Sequence, residues 1–263
     1  MDNRTQKPRG GRGYNDPLVI AVSLTGLILF WALAAQIKAD PDVLPTPVEV
    51  WQVTVEEAES GALWHNIAVT LRRVALAFGA AMGLGCVIGL VLGMMPRLDR
   101  WADPWVMFFL NLPALVVIVL CYLWIGLNEV AAIVAVAVNK TAMVAVTIRE
   151  GVRVLDRDLG DMAQVYRLTP MQRLVHVILP QLGPFVLASV RNGLAIIWKI
   201  VLVVEFLGRP DGVGFQIHLY FQLFDTAHVL AYALSFTFVM LIIEFLAVQP
   251  FEARARRWRR QSA

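Results

Sequence analysis

Apolar residues fall along this chain in six long blocks separated by shorter polar ones. The blocks cover residues 17–37, 67–95, 104–125, 130–148, 185–207 and 228–248. Each is close to the roughly 20 residues an α-helix needs to cross a bilayer. The pattern predicts an all-α, polytopic membrane protein with six transmembrane helices and no internal soluble domain. A basic, glycine-rich stretch (1–16) precedes the first block, and EARARRWRR lies in a tail over 251–263. Both read as flexible tails around a membrane domain spanning 17–250. Ala32-Leu33-Ala34 resembles a leader cleavage site, but the apolar core is longer than a leader's, so an uncleaved first span is expected.

The polar connections carry their own signals. Residues 38–65 hold LPTP at 44–47 and an amphipathic stretch over 51–64, which predicts a short interfacial helix with tryptophan at headgroup level. Residues 96–103 read as a short charged turn, 126–129 as a tight turn and 208–226 as a polar loop. In the second block, Gly79/Gly83 and Gly85/Gly89/Gly93 form small-xxx-small series, which predict close helix packing in lipid.

Composition agrees with a membrane class: 58% hydrophobic residues against 16% charged, with a mean hydropathy of +0.64. The net charge of +3 says little, but its placement is informative. Sixteen Lys and Arg lie in 1–16, 96–103, 149–182 and the C-terminal tail, whereas the opposite connections hold only Lys38 and Arg209. Both termini and the 149–182 loop are therefore expected on the cytoplasmic side. Cys86 and Cys121 fall inside apolar blocks and read as small packing residues, and the four histidines show no ligand spacing. The chain has no GxxxxGK[ST] phosphate cradle and no Ser/His/Asp or paired-carboxylate constellation, so no catalysis and no cofactor or metal site of its own is expected.

The longest polar interruption between spans contains DLGDMAQVYRLTPMQRLVHVILP, residues 158–180. Its first half predicts a helix with Leu159, Met162, Ala163 and Tyr166 on one face. Thr169-Pro170 is a helix start, hydroxyl cap then proline at N1. The second helix would place Leu174, Val175, Ile178 and Leu179 on one stripe and stop at Pro180. Two short helices between membrane spans make a compact knob for a soluble partner.

This segment resembles the EAA loop of ABC-importer permeases. Asp161, Met162 and Ala163 fill its first positions, and Val177-Ile178-Leu179-Pro180 its last. The family's glycine is here Arg167, followed by Leu168, Thr169 and Pro170. An arginine at that point must strain or turn differently, so an altered turn is expected. LPTPVEVWQ (44–52), Arg72-Arg73, the stretch 178–208 with Arg191, Trp198, Glu205 and Gly208, and DGVGF (211–215) extend the likeness to the nitrate/sulfonate/taurine branch over about residues 44–260. The resemblance implies a type I importer permease, with 150–182 as the coupling loop that docks the ATPase. It also implies a permease homodimer, a cytoplasmic ABC ATPase dimer that binds ATP and Mg, an extracytoplasmic substrate-binding protein and a bacterial inner membrane. Lipid surrounds such a protein, and nucleic acid is not an expected partner.

Charges inside spans are costly and mark candidate sites. Asn139 and Lys140 fall within the fourth span, and Arg191, Asn192, Trp198, Lys199 and Glu205 lie along the fifth. These are the candidate path residues. Two midspan lysines would suit a small anion of the nitrate, sulfonate or carboxylate type. The bland reading pairs Lys140 or Lys199 with Glu205 or Glu244, or has them cap backbone carbonyls, although Lys199 and Glu205 lie on roughly opposite faces of one helix. The competing function is a secondary transporter or channel that works without an ATPase.

Overall fold

The computed structural model describes residues 17–38 and 40–248, so the tails expected at 1–16 and 251–263 lie outside the described residues. Eleven α-helices make up the described chain: α1 (Pro17–Lys38), α2 (Pro47–Glu59), α3 (Ala62–Met94), α4 (Pro96–Asn111), α5 (Ala114–Ile125), α6 (Glu129–Arg153), α7 (Arg157–Val165), α8 (Pro170–Arg173), α9 (Leu179–Gly208), α10 (Val213–Gln222) and α11 (Thr226–Ile243). Two π-helical turns, Leu174–Ile178 and Glu244–Val248, interrupt or extend them.

Five helices among the described residues are long and apolar enough to cross a membrane, and a sixth crossing requires counting α4 and α5 together. The third span is therefore not continuous. The stretch expected as a charged turn at 96–103 is the first half of α4, and α5 leaves α4 at 97°. The break falls at Leu112-Pro113. Proline cannot donate to the helix ladder and pushes its predecessor out of the α region, and Leu112 is extended at ψ 124°. At about 1.5 Å per residue, the 12 residues of α5 reach only ~18 Å, too short to span alone. The two halves together still pass from one end of the bundle to the other. Asp99 of α4 meets Arg149 and Arg153 at the end of α6, and Tyr122 of α5 donates to the Val204 carbonyl near the end of α9 (2.8 Å).

The core forms where α3, α6 and α9 meet. Ala77, Ala81, Ala135, Val136, Ile197 and Val201 are buried there, with Ile118 and Tyr122 of α5 packed on them. The glycine series sets the α3–α6 spacing. A Cβ on Gly89 would sit 2.4 Å from the Ala145 carbonyl, and one on Gly85 or Gly93 would meet Val144 or Val152 at 2.5 Å. Gly79 and Gly83 face open space instead, with nothing within 4 Å of a Cβ. The amphipathic stretch resolves into α2, opened by a Thr46–Glu49 capping box, and the first turn of α3, which carries Trp64.

The second helix of the polar segment does not stop at Pro180. Helix α8 runs through the π turn directly into α9. The widened turn accommodates the proline ring: the Leu179 amide bonds the Leu174 carbonyl, five residues back, and Gln181 Nε2 donates to the Val177 carbonyl (2.9 Å). The extra residue also rotates the apolar stripe. Val177 and Ile178 are buried, whereas Val175 and Leu179, expected on the packed face, are exposed.

Candidate functional site

The segment expected to dock the ATPase lies between α6 and α9, at the end of the bundle where α3 and α6 finish. Asp156 caps α7 by accepting the Asp158 amide (2.9 Å), and its own amide donates to Gln181 Oε1 of α9 (2.9 Å). Of the expected apolar face only Ala163 is buried; Leu159, Met162 and Tyr166 point outward, as does Val165. Asp161 is exposed beside them. A four-turn device that buries one alanine and displays methionine, valine and tyrosine has its apolar surface free for contact.

The expectation of an altered turn at Arg167 is corrected. Arg167 takes the left-handed conformation at φ 50° that a glycine would adopt. The Leu168 amide reaches the Ala163 carbonyl (2.9 Å) and the Arg167 amide the Gln164 carbonyl (3.0 Å), the two bonds of a Schellman motif. The helix end thus keeps the glycine geometry and carries the steric cost of a Cβ, on the order of 1 kcal/mol. Thr169 then opens α8 with a full capping box: its hydroxyl accepts the Gln172 amide (3.3 Å), its amide donates to Gln172 Oε1 (2.9 Å), and Pro170 sits at the first helical position. Caps on both sides fix the angle between α7 and α8.

The charged residues of the spans separate into three groups. Glu205, expected among path-lining residues, faces no path. It is 0% exposed and bound on both oxygens: Oε1 accepts Arg73 Nη1 (2.7 Å), and Oε2 accepts the Thr70 hydroxyl and the Gly214 amide (2.9 Å each). Arg73, 2% exposed, is the centre of a cluster at the end of the bundle away from the docking segment. All five of its N–H groups are used. Nε donates to Glu129 (3.0 Å), Nη1 to Glu205 and the Asp211 carbonyl (2.8 Å), and Nη2 to Glu129 (2.9 Å) and Asp211 Oδ1 (2.5 Å). Arg72 and Arg209 complete the set on Glu129. Three arginines thus balance three carboxylates. Gly212, at φ 103°, and Gly214 bring the 209–214 turn against it, where a Cβ on either would strike Glu205 or the Leu202 carbonyl.

The second group is midspan. Lys140 is half-buried and Lys199 exposed, and neither makes a hydrogen bond or ion pair among the described residues, so the pairing with Glu205 or Glu244 is not found. Lys199 Nζ lies 5.5 Å from the centroid of its neighbour Trp198. Asn139 reaches toward the Leu112 carbonyl at the α4–α5 break (3.5 Å). Asn192 is exposed, and Arg191, Trp198 and Glu244 line a small cleft of about 50 Å³ between α9 and α11.

The third group went unread in the sequence. Arg149 and Arg153, on α6, hold Asp99 and Asp103 of α4 at the docking end. All four fall in or at the edge of the stretches that read as a charged turn and a polar loop, although each pair is four residues apart and so shares a helix face. Arg73 was visible too, as an ionisable residue within an apolar block.

Residues 81–259 match the family described as "Binding-protein-dependent transport system inner membrane component". The chain is 32% identical over 217 residues to the putative aliphatic sulfonates transport permease protein SsuC of Bacillus subtilis (strain 168), covering 82% of this chain and 78% of that one. It is 27% identical to the taurine transport system permease protein TauC of Escherichia coli (strain K12), over 91% and 87% of the two chains. In three dimensions it superposes on a subunit of the inward-facing MetNI methionine ABC transporter with a TM-score of 0.60, at 18% identity, over 74% of this chain and 96% of that one. An amino acid ABC transporter gives a TM-score of 0.57 at 20% identity, over 79% and 97%. A bundle of broken and unbroken spans, an exposed helical segment between α6 and α9 and these matches together place the chain in the binding-protein-dependent inner-membrane components, as a multi-pass ABC-importer permease of the sulfonate and taurine branch.

Proposed function

We propose that this permease works as a homodimer that imports a small oxyanion delivered by an extracytoplasmic substrate-binding protein. A cytoplasmic ATPase dimer would dock on 156–180 and supply the energy. ATP and Mg would be held by that partner and no cofactor by this chain. In this reading the termini and the docking segment lie on the cytoplasmic side of a bacterial inner membrane, in keeping with the sixteen Lys and Arg in 1–16, 96–103, 149–182 and the C-terminal tail.

The observation that carries the substrate class is the pair of midspan lysines without a carboxylate. A cation inside a span is retained only where something compensates its desolvation, and Lys140 and Lys199 find no anion among the described residues. An anion in transit meets that need. Sulfonates and taurine, named for relatives, both carry a sulfonate group.

Reconstitution of permease, ATPase and binding protein in liposomes tests the reading. ATP-dependent uptake of an aliphatic sulfonate is expected, falling at least tenfold in Lys140→Met or Lys199→Met with the complex still assembling. Unchanged uptake in both variants would remove the anion argument. Uptake by the permease alone, driven by an ion gradient, would replace the ATPase-coupled reading with a secondary transporter.

A further inference from the structure

Helix α4 is thinly embedded in the bundle, and the way it is held is specific. Asp99 is its only buried residue; its remaining length is partly or fully exposed, with Trp101, Trp105 and Phe108 turned outward. Its inner side lies along α3 and α6, where Ala102, Val106 and Phe109 share a cleft with Leu84, Ile88 and Ala145, and a polar attachment holds each end. At its start, Asp99 and Asp103 share the face that meets α6. Arg149 Nη1 bonds Asp99 Oδ1 (3.0 Å) and Asp103 Oδ1 (2.6 Å), and Arg153 Nη2 bonds Asp99 Oδ2. At its far end is the 97° break, where Asn139, next to Lys140, lies 3.5 Å from the Leu112 carbonyl.

Arg149 is 6% exposed; its Nε makes no hydrogen bond and lies 3.4 Å from Glu150 Oε1 of its own helix, so the hydrogen bonds that orient its guanidinium are those to the two α4 carboxylates. Without them the buried arginine would keep only the longer contact with half-exposed Glu150, so the clamp resists opening. Only three residues separate Arg153 from the first residue of α7. Any displacement of the docking segment therefore reaches α6's last turn, and the clamp passes it to α4. α4 is 16 residues and about 24 Å long, with Pro104 inside it and Asp99 its one buried residue, so a movement of its first turns is carried along it toward the break.

We infer that Arg149, assisted by Arg153, is a positioning residue for transport: it ties the docking segment to α4, which moves the midspan break beside Asn139 and Lys140. The inference rests on the proposal that 156–180 docks an ATPase. It adds a second route through the membrane domain, beside the direct continuation of the segment into α9.

The test uses the full transporter in liposomes and reads uptake per ATP hydrolysed. Arg149→Gln is expected to lower that ratio at least tenfold while the ATPase still co-purifies; Asp103→Asn lowers it less, and Arg149→Lys restores part of it. A direct readout places spin labels at Phe108→Cys on α4 and Leu123→Cys on α5, both exposed, with Cys86 and Cys121 replaced by serine and alanine. The distance between labels is expected to change between the nucleotide-free and vanadate-trapped states, and to stay fixed in Arg149→Gln. The inference is overturned if uptake and hydrolysis fall together, if the ratio is unchanged, or if the label distance ignores nucleotide in the labelled parent. If the unmutated permease binds no ATPase, the functional reading fails first and this inference falls with it.

Discussion

Replacing Arg73 by methionine tests the buried ion cluster most severely. The substitution keeps much of the side-chain volume and removes five hydrogen bonds and one charge. Glu129 is partly exposed and keeps Arg72 and Arg209, so its loss is small. Glu205 is different: it is fully enclosed and retains only the Thr70 hydroxyl and the Gly214 amide. Removing one partner of a buried ion pair costs about 3–5 kcal/mol. At about 2–4 °C per kcal/mol for a chain of this size, the midpoint of thermal unfolding should drop on the order of 10 °C. With the half-buried Cys86 replaced by serine, the molecule supplies its own probe, because Cys121 is buried in the same core as Tyr122 and Val204. A thiol-reactive fluorophore in detergent will report when that core opens. Arg73→Lys keeps the charge but has three donors where five are used, so about 1–3 kcal/mol is expected to go. The double variant Arg73→Met/Glu205→Gln removes both charges and should recover at least half of the single loss. A drop below about 2 °C for Arg73→Met, or a double variant no more stable than the single, would refute the idea that Glu205's burial depends on Arg73.

Two further substitutions probe backbone and packing. Arg167→Gly removes the Cβ from a left-handed residue while leaving both Schellman hydrogen bonds in place, and should stabilise the docking segment by about 0.5–1 kcal/mol. Slower amide hydrogen exchange over 163–168 would register this, and faster exchange would contradict it. Gly89→Ala drives a methyl into the Ala145 carbonyl and should destabilise by about 1–3 kcal/mol, whereas Gly79→Ala, with open space around it, should stay within about 0.5 kcal/mol in the isolated chain. Equal thermal shifts for the two would mean that α3 and α6 are not spaced by their glycines.

Features set by residues close in sequence could be read in advance. The apolar blocks found the long helices, Thr169-Pro170 marked the start of α8, and the absence of a glycine pointed to residue 167 as the place to look. The outcome there was not legible. Whether Arg167 strains or re-routes the chain depends on how firmly Ala163 and Pro170 are held on either side, and those constraints come from packing and caps together. The α4–α5 break had a local sign, Pro113, but hydropathy averages over a bend. A rule that counts apolar residues cannot see the direction in which they run. The π turn was likewise hidden, because an extra residue in one turn leaves composition untouched while rotating every side chain that follows.

The site's charges show the same division more sharply. Which charged residues lie in membrane-length apolar blocks is a property of the chain alone, and Arg72, Arg73, Lys140, Arg191, Lys199, Glu205 and Glu244 all do. Which of them are satisfied is not. Glu205 and Arg73 are 132 positions apart and meet because tight glycine packing brings α3 and α6 together and α9 lies against both. Among the described residues no carboxylate comes within ion-pairing reach of Lys140 or Lys199, and Lys199 lies against Trp198 instead. Burial and the energy of an ion pair both depend on distance through space, and only the assembled bundle decides which charges come within hydrogen-bonding reach.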